Sequence, residues 1–246
     1  MNTNAALYGK GVFTTIAIYD GEPFLWDKHW QRLKDHADII GLDISGYSEL
    51  EILSLINERI GNEDLINGRA RITFIDGSQS SIWTSEPKKV TEFSILTAKT
   101  RPLPDRFKLS LSPYRTNSSS PLAGIKSCNY LENILAFDEA KARGFDEAVR
   151  LNERGEITGG CMSNIFWLIG ERLFTPDLST GCLAGTTRGF VLENLECAEV
   201  CASFDELKNA DAVFLTSAGI GIKTVERLDN KIFDKLEHPI LDLLPE

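Results

Sequence analysis

Residues 122–132 read LAGIKSCNYLE and place a single lysine, Lys126, among small and apolar side chains. Lys126 is the only charged residue between Arg115 and Glu132. We expect a lysine in this setting to lose hydration, which lowers its pKa and makes its amine usable as a nucleophile or base. The alternative is a solvated lysine that ends a loop before a helix, since most lysines are exposed.

The composition is that of a globular protein with one large domain or two small domains that share a cleft. The chain has 246 residues, of which 42% are hydrophobic and 25% are charged. The net charge is -10 and no basic cluster interrupts the acidity, so we expect no nucleic-acid partner. The sequence has neither an apolar run of about 20 residues nor a signal-peptide pattern, which predicts a cytoplasmic protein without a membrane span.

The cysteines and histidines predict neither a disulfide framework nor a metal site. The five cysteines are an odd number, are widely spread and form no C-x-x-C pair, so they are expected to be free thiols. His29 and His36 lie seven residues apart on a predicted helix, and no acidic cluster completes a set of ligands.

The polar segment TNSSSP at residues 116–121 is the best candidate for a domain boundary. It separates a small N-terminal α/β domain, residues 1–115, from a larger C-terminal α/β domain, residues 122–246. Strands and helices are mixed without a strict βαβ rhythm, which predicts an α+β fold. Lys126 lies just after this linker, and clefts between domains are favoured ligand sites.

Hydrophobic periodicity and turn residues predict the main elements. Strands are predicted at residues 12–19, 70–75, 91–98, 108–113, 147–151, 164–169 and 211–216. Helices are predicted at residues 27–40, with Asp27 as the N-cap, and at residues 49–59, 129–143 and 186–195.

Two segments have the pattern of an anion-binding cradle, and the first is LAGTTR at residues 183–188. A glycine precedes Thr186 and Thr187 at the predicted start of a helix. Main-chain N–H groups, the helix dipole and two hydroxyls can then face a phosphate. An ordinary helix cap is the alternative.

The second segment is TSAG at residues 216–219, where Ser217 and Ala218 end a predicted strand and permit close approach of the backbone. Each cradle alone is a weak signal. Together with a reactive Lys126 they match the needs of pyridoxal 5'-phosphate, whose aldehyde requires an amine and whose phosphate requires an anchor.

The order of six motifs resembles the class IV pyridoxal-phosphate enzymes, which include branched-chain and D-amino acid aminotransferases and 4-amino-4-deoxychorismate lyase. The motifs are YGKGVF at 8–13, HWQRL at 29–33, AGIK at 123–126, SNIF at 163–166, TP at 175–176 and GTTR at 185–188. Six ordered motifs are a strong signal where any single one would be weak.

The resemblance implies a two-domain fold of type IV, an active site between the domains, a homodimer and a small-molecule substrate. It implies that pyridoxal 5'-phosphate is joined covalently to Lys126. It further implies that the phosphate is held by Arg32, Thr187 and the backbone of Ser217 and Ala218, and that Thr186, Tyr130 and Gly159 also line the cofactor site. A solvated Arg32 on an amphipathic helix is the alternative for that residue.

The Tyr-Gly motif comes almost at the start of the sequence, where the family usually has a preceding strand, which predicts one strand fewer in the N-terminal sheet.

The sequence also departs from the family pattern at two places that concern the substrate. Family aminotransferases usually carry Phe-Glu or Tyr-Glu where this chain has Phe13-Thr14-Thr15. The D-amino acid enzymes use an Arg-x-His carboxylate trap that the segment beginning at Arg71 does not supply. Phe13-Thr14-Thr15 together with the pattern AGIK-x-x-N-x-LE at residues 123–132 is most similar to the lyase, and Thr14 becomes a candidate catalytic contact near the leaving group. The alternative is that Thr14 and Thr15 are ordinary β-branched strand residues.

A further departure concerns the pyridine nitrogen of the cofactor. The family places a glutamate there, and the matching position in this chain is Gly159. Glu156 is three residues away along a predicted strand and is expected to point to the opposite face.

Three functions therefore stay open. The first is a lyase that converts 4-amino-4-deoxychorismate to 4-aminobenzoate and pyruvate. The second is an aminotransferase for branched-chain or D-amino acids. The third is a protein that binds the cofactor without catalysis, which the missing glutamate at Gly159 would explain.

Overall fold

The computed structural model describes residues 2–80 and 89–245, and the chain divides into two compact units. The first unit contains residues 1–101 together with 125–130. The second contains residues 102–124 together with 131–246.

The first unit is built on an antiparallel sheet. Its elements are α1 (Asn4–Tyr8), β1 (Gly11–Tyr19), β2 (Glu22–Pro23), α2 (Trp26–Ile39), α3 (Glu49–Asn62), β3 (Gly68–Asp76) and β4 (Thr91–Lys99). Among the described residues the strand order is β2-β1-β3-β4, and every neighbouring pair is antiparallel.

Alternation along β1 decides which side chains meet the helices. Val12, Ile16 and Ile18 face the core of this unit, where they cluster with Trp30 and Leu33 of α2. Because side chains alternate, Thr14 shares this core face. Phe13 and Thr15 therefore project from the other face of the sheet.

The helices of the first unit begin at recognisable signals. Ser48 and Glu51 form a capping box at the start of α3. The expected N-cap of α2 is wrong: the helix begins at Trp26, and Leu25 is its N-cap in a left-handed conformation with a φ of 57°. Asp27 lies in the first turn instead, where a carboxylate still favours the helix dipole.

The second unit contains a larger mixed sheet. Its strands are β5 (Arg106–Leu111), β6 (Glu147–Leu151), β7 (Ile157–Gly160), β8 (Asn164–Ile169), β9 (Arg172–Pro176), β10 (Cys197–Val200), β11 (Ala212–Ser217), β12 (Gly221–Leu228) and β13 (Lys231–Ile232). Its helices are α4 (Leu131–Ala142), α5 (Thr186–Asn194) and α6 (Phe204–Lys208), with 3₁₀ turns at Leu178–Thr180 and Pro239–Asp242.

Within the described part of this unit the strand order is β10-β9-β8-β11-β12-β5-β6-β7, and β13 pairs with β12. The pairs β9–β10, β5–β12 and β5–β6 are parallel, and the others are antiparallel. A mixed sheet of this kind agrees with the predicted α+β class.

The predicted domain boundary at residues 116–121 is displaced in the structure. Residues 102–115 were expected in the first domain, but β5 pairs with β6 and β12 of the second unit. Conversely, residues 125–130 join the first unit, because the Phe13 N–H donates to the Lys126 carbonyl and the Cys128 N–H donates to the Gly11 carbonyl. The boundary between the units is therefore set by main-chain hydrogen bonds and not by the polar composition of residues 116–121.

The strands β9 and β12 were not predicted from the sequence. Thr175 and Pro176 were noted only as a motif, although they end β9. The charged residues Lys223, Glu226 and Arg227 interrupt the apolar–polar alternation that would have indicated β12. Among the described residues, no helix combines the length and the apolar character needed to cross a membrane.

Candidate active site

Lys126 is partly buried in the first unit, beside two aromatic rings. Its Nζ atom lies 4.6 Å from the centre of the Phe13 ring and 4.8 Å from that of Tyr130. The same atom donates to Tyr130 Oη over 3.3 Å. The two rings meet edge to face with their centres 5.1 Å apart. Phe13 and Tyr130 therefore shield the amine and orient it.

The pKa of Lys126 is lowered from 10.5 to about 7, chiefly by burial and then by the charges of Arg32 and Arg71. A substantial fraction of the amine is therefore unprotonated at neutral pH. This confirms the expectation that Lys126 is desolvated, and it gives the residue the protonation state of a nucleophile or a base.

Helix α2 places Arg32 and His29 against Thr14. Arg32 Nη2 donates to Thr14 Oγ1 over 2.7 Å, and Thr14 Oγ1 lies 2.6 Å from His29 Nδ1. Arg32 is 9% exposed, so it is not the solvated surface arginine of the alternative interpretation. Burial lowers its pKa to about 10, which leaves the guanidinium charged at neutral pH.

The expected contact of Thr14 with a leaving group does not fit this geometry. Thr14 has no exposed surface, and its hydroxyl is engaged by Arg32 and His29 on the core face of β1. The structure gives Thr14 a positioning role, in which it fixes the Arg32 guanidinium. Burial, followed by the charges of Arg32 and Lys126, lowers the pKa of His29 well below 6.5, so its ring stays neutral.

Arg71 adds a further positive charge on the opposite face of β1. Its guanidinium carbon lies 3.8 Å from the centre of the Phe13 ring, and the side chain is exposed. Arg71 acts on the pKa of Lys126 in the same direction as Arg32. The Lys126 surroundings are therefore electropositive, as a site for a phosphorylated compound requires.

In the second unit, α5 presents its N-terminus through a glycine cap. Gly185 is the N-cap and supplies no side-chain hydrogen bond, while Thr186 and Thr187 are buried in the first turn. A Cβ atom at Gly185 would overlap Asn164 Oδ1. The glycine therefore allows this turn to pack closely against the Asn164 side chain of β8.

Asn164 connects the parts of the predicted cofactor site that lie in the second unit. Its Nδ2 atom donates to the Leu183 carbonyl over 2.8 Å, just before α5. In the sheet, Asn164 pairs with Thr216, which precedes Ser217 at the end of β11. The Ser217 hydroxyl accepts from the Gly219 N–H over 3.2 Å, which closes the turn that holds Ala218. The two predicted cradles are thus neighbours, joined by Asn164.

Gly159 lies next to the same junction and has a glycine-specific backbone. Its φ is 139°, and a Cβ atom there would lie 2.9 Å from the Ser163 carbonyl oxygen and 3.8 Å from Asn164 Cα. The backbone conformation at this position therefore disfavours any side chain, including the glutamate of the family pattern. Glu156 does not replace it, since its carboxylate accepts from Arg154 and Asn152 in the preceding turn.

A different carboxylate, Glu147, organises the loop that follows β7. Glu147 is 2% exposed and accepts hydrogen bonds from the Met162 N–H at 2.8 Å, the Ser163 hydroxyl at 2.9 Å and the Cys161 N–H at 3.1 Å. Burial raises the pKa of this carboxyl. The hydrogen bonds fix the loop that carries Ser163 into β8.

The structure thus groups the sequence-predicted residues by unit. Lys126, Tyr130, Arg32 and Thr14 lie together in the first unit, and Gly159, Thr186, Thr187, Ser217 and Ala218 lie around Asn164 in the second. Sequence reasoning missed the roles of Asn164, Glu147 and His36. The SNIF motif was the available signal for Asn164, whereas no pattern marked the other two.

The chemistry of these donors fits pyridoxal phosphate. An amine with a pKa of about 7 suits its aldehyde, and two arginines beside that amine suit an anion. A glycine-capped helix start with two threonines suits a phosphate. Among the described residues no group of three or more histidine, cysteine or acidic side chains forms a candidate metal site.

Known proteins show the same architecture. The family model for amino-transferase class IV matches residues 11–228. Aminodeoxychorismate lyase of Bacillus subtilis is 30% identical over 225 residues, which is 88% of this chain and 76% of that protein.

Two solved structures agree with this relationship. A Legionella pneumophila protein provisionally identified as a 4-amino-4-deoxychorismate lyase has a TM-score of 0.90 and 28% identity, over 98% of this chain and 91% of that one. The branched-chain aminotransferase of Thermoproteus uzoniensis has a TM-score of 0.88 and 26% identity, over 98% of this chain and 85% of that one. The family is pyridoxal-phosphate-dependent and includes lyases and aminotransferases. The chain belongs to the class IV aminotransferase family.

Proposed function

We propose that the protein is a lyase that converts 4-amino-4-deoxychorismate to 4-aminobenzoate and pyruvate. The observation that carries the proposal is Gly159, whose φ of 139° and close contact with the Ser163 carbonyl disfavour a carboxylate side chain at that position. Transamination depends strongly on such a carboxylate, since it keeps the pyridine nitrogen of the cofactor protonated. The lyase reaction depends on it less, because formation of an aromatic product ring drives the elimination. The similarity to the Bacillus subtilis lyase supports the same choice.

The proposed cofactor is pyridoxal phosphate. Arg32 in the first unit and Thr186, Thr187, Ser217 and Ala218 in the second are the proposed ligands of its phosphate. When bound, pyridoxal phosphate condenses with primary amines through its aldehyde and withdraws electrons from the adjacent carbon.

Lys126 supplies the amine and the base. With a pKa of about 7, its Nζ atom accepts a proton at neutral pH. The proposed step removes the ring C–H proton of the substrate to Nζ and breaks the C–O bond to the enolpyruvyl group. The released enol then takes up a proton and becomes pyruvate. Atoms balance without a second substrate.

The neighbours of Lys126 orient this proton transfer. Tyr130 accepts a hydrogen bond from Nζ, and the Phe13 ring covers the amine on another side. Thr14 acts at one remove, because it holds Arg32 rather than the substrate.

The second candidate is an aminotransferase, and the similarity to the Thermoproteus uzoniensis enzyme favours it. Purified protein with bound cofactor separates the two. The lyase releases pyruvate from aminodeoxychorismate without an added keto acid. An aminotransferase converts L-leucine or D-alanine only when a keto acid is present, and robust activity of that kind without pyruvate release would refute the lyase proposal.

We further propose that the protein is a homodimer. In the second unit, the first turns of α4 expose Leu131, Ile134 and Leu135, whose side chains are 67%, 42% and 51% exposed. Such an apolar face is suited to burial against a second copy of the chain. A monomer by light scattering at micromolar concentration, with full activity, would contradict the dimer.

A further inference from the structure

We propose that His36 is a positioning residue for Lys126, which it anchors through a hydrogen bond to the main chain of the lysine. His36 lies in α2 and is 7% exposed. Its Nδ1 atom accepts the Lys126 N–H over 3.0 Å. The importance of this bond for catalysis rests on the function proposed above for Lys126, whereas the bond itself does not.

The main chain of Lys126 is held at both of its polar groups. Its N–H is bonded to His36 of α2, and its carbonyl accepts the Phe13 N–H of β1 over 3.0 Å. Two residues further on, the Cys128 N–H donates to the Gly11 carbonyl over 2.8 Å. A helix and a strand of one unit thus fix the peptide from which the Lys126 amine extends. Loss of either anchor would leave the starting point of that side chain less defined.

The bond requires one particular state of the His36 ring. Nδ1 accepts a hydrogen bond only when it carries no proton, so the ring must be neutral with its proton on Nε2. Arg32 and Asp35 of α2 and Lys126 of the facing loop are the charged groups near the ring. Burial and the two cations lower the pKa of His36 to about 4, and Asp35 opposes them. The ring therefore remains an acceptor at neutral pH.

Amide hydrogen exchange at Lys126 tests the anchor directly, in the full chain without added cofactor. His36→Leu removes the acceptor at similar size, whereas His36→Asn offers an amide oxygen near the position of Nδ1. We expect His36→Leu to speed exchange at Lys126 at least about tenfold and His36→Asn to stay within about threefold of wild type.

His238 supplies a matched control in the second unit. Its Nδ1 atom accepts the Ile240 N–H over 3.2 Å, so His238→Leu removes the same type of bond elsewhere. Exchange at Lys126 should not change in this variant. Equal rates at Lys126 in wild type and His36→Leu would overturn the proposal.

A second readout distinguishes positioning from general loss of structure. Competitive acetylation over a range of pH, followed by peptide mass spectrometry, reports the pKa of Lys126. We expect His36→Leu to move this pKa toward the ordinary value of lysine, because a loosened side chain reaches water, and His36→Asn to restore it.

Should His36→Leu fail to fold, nitrogen NMR of the wild-type histidines decides the matter. The proposal requires an unprotonated Nδ1 on His36 at pH 7, and a proton on Nδ1 would overturn it. These outcomes are independent of which lysine carries the cofactor. If another residue carries it, the proposed function fails while the His36 bond still stands or falls on the exchange rates.

Discussion

Arg32 Nη2 donates to Thr14 Oγ1 over 2.7 Å, and both side chains are buried. The hydroxyl of a strand residue thus orients a buried cation. Such a bond is costly to break, because the remaining group keeps its desolvation without its partner.

Thr14→Val should lower the free energy of unfolding by about 1–3 kcal/mol, because it keeps the shape of the side chain and removes the oxygen. It should also weaken binding of pyridoxal phosphate, since the Arg32 guanidinium loses its orientation. Thr14→Ser retains the hydroxyl and is the matched control. Urea unfolding measures the stability of the three proteins, and titration with pyridoxal phosphate measures their affinity for the cofactor. A Thr14→Val protein as stable as wild type, with unchanged affinity, would show that the bond orients nothing.

Gly159→Ala should be destabilising by about 1–3 kcal/mol, because the φ of 139° is strained for an L side chain and the new Cβ would crowd the Ser163 carbonyl. Gly155 is the matched control, since its φ is 84° but no atom lies within 4 Å of an added Cβ. Gly155→Ala therefore reports backbone strain without the contact. Equal losses of thermal stability in the two variants would show that the contact with the Ser163 carbonyl contributes nothing.

The same geometry bears on a glutamate at position 159. From the sequence, Gly159→Glu is expected to restore the family carboxylate and to improve transamination more than lyase turnover, provided that the larger side chain fits. The structure predicts instead that this variant distorts the loop before it supplies a charge. Loss of stability without a gain in transamination is the expected result, and a stable Gly159→Glu protein with raised transamination would contradict it.

Stability should fall as the pH drops from 6.5 toward 4, partly because of His36. Its pKa is about 4 in the folded protein and about 6.5 in the unfolded chain. Between these values the unfolded chain binds the extra proton, so lowering the pH favours unfolding. The contribution is fully present above pH 6.5 and is lost by about pH 4.

His36→Asn isolates this effect, because asparagine does not titrate. Between pH 7 and pH 4, wild type should lose about 3 kcal/mol more stability than His36→Asn. Urea denaturation at a series of pH values checks the difference. Parallel curves would show that the His36 pKa is not depressed.

The sequence was sufficient to predict the lysine of lowered pKa and most of the elements around it. Isolation of Lys126 among apolar residues predicted its lowered pKa. Glycine and hydroxyl residues at a helix start, and small residues after a strand, predicted the two cradles. The role of Thr14 was inferred from the departure at Phe13-Thr14-Thr15, and strand alternation alone does not indicate which face of β1 packs against a helix. His36 and Glu147 act through contacts with residues 90 and about 15 positions away, and local patterns carry no information about such contacts.

The boundary between the units was also beyond local patterns. A polar segment indicates a flexible stretch, but the pairing of β5 with β6 and β12 depends on long-range main-chain bonds. The same is true of the bridge that ties residues 125–130 to β1.

Lys126 is the residue that we propose to carry the cofactor. Borohydride treatment of the protein loaded with pyridoxal phosphate fixes the cofactor to the amine that it has joined, and peptide mass spectrometry then locates the label. We predict a label on the peptide that contains Lys126. Lys126→Ala should lose both this label and the yellow colour that the cofactor gives to the untreated protein. Lys10→Ala, whose lysine pairs with Asp76 in wild type, should retain the label. A label on another lysine, or one that survives in Lys126→Ala, would contradict the account.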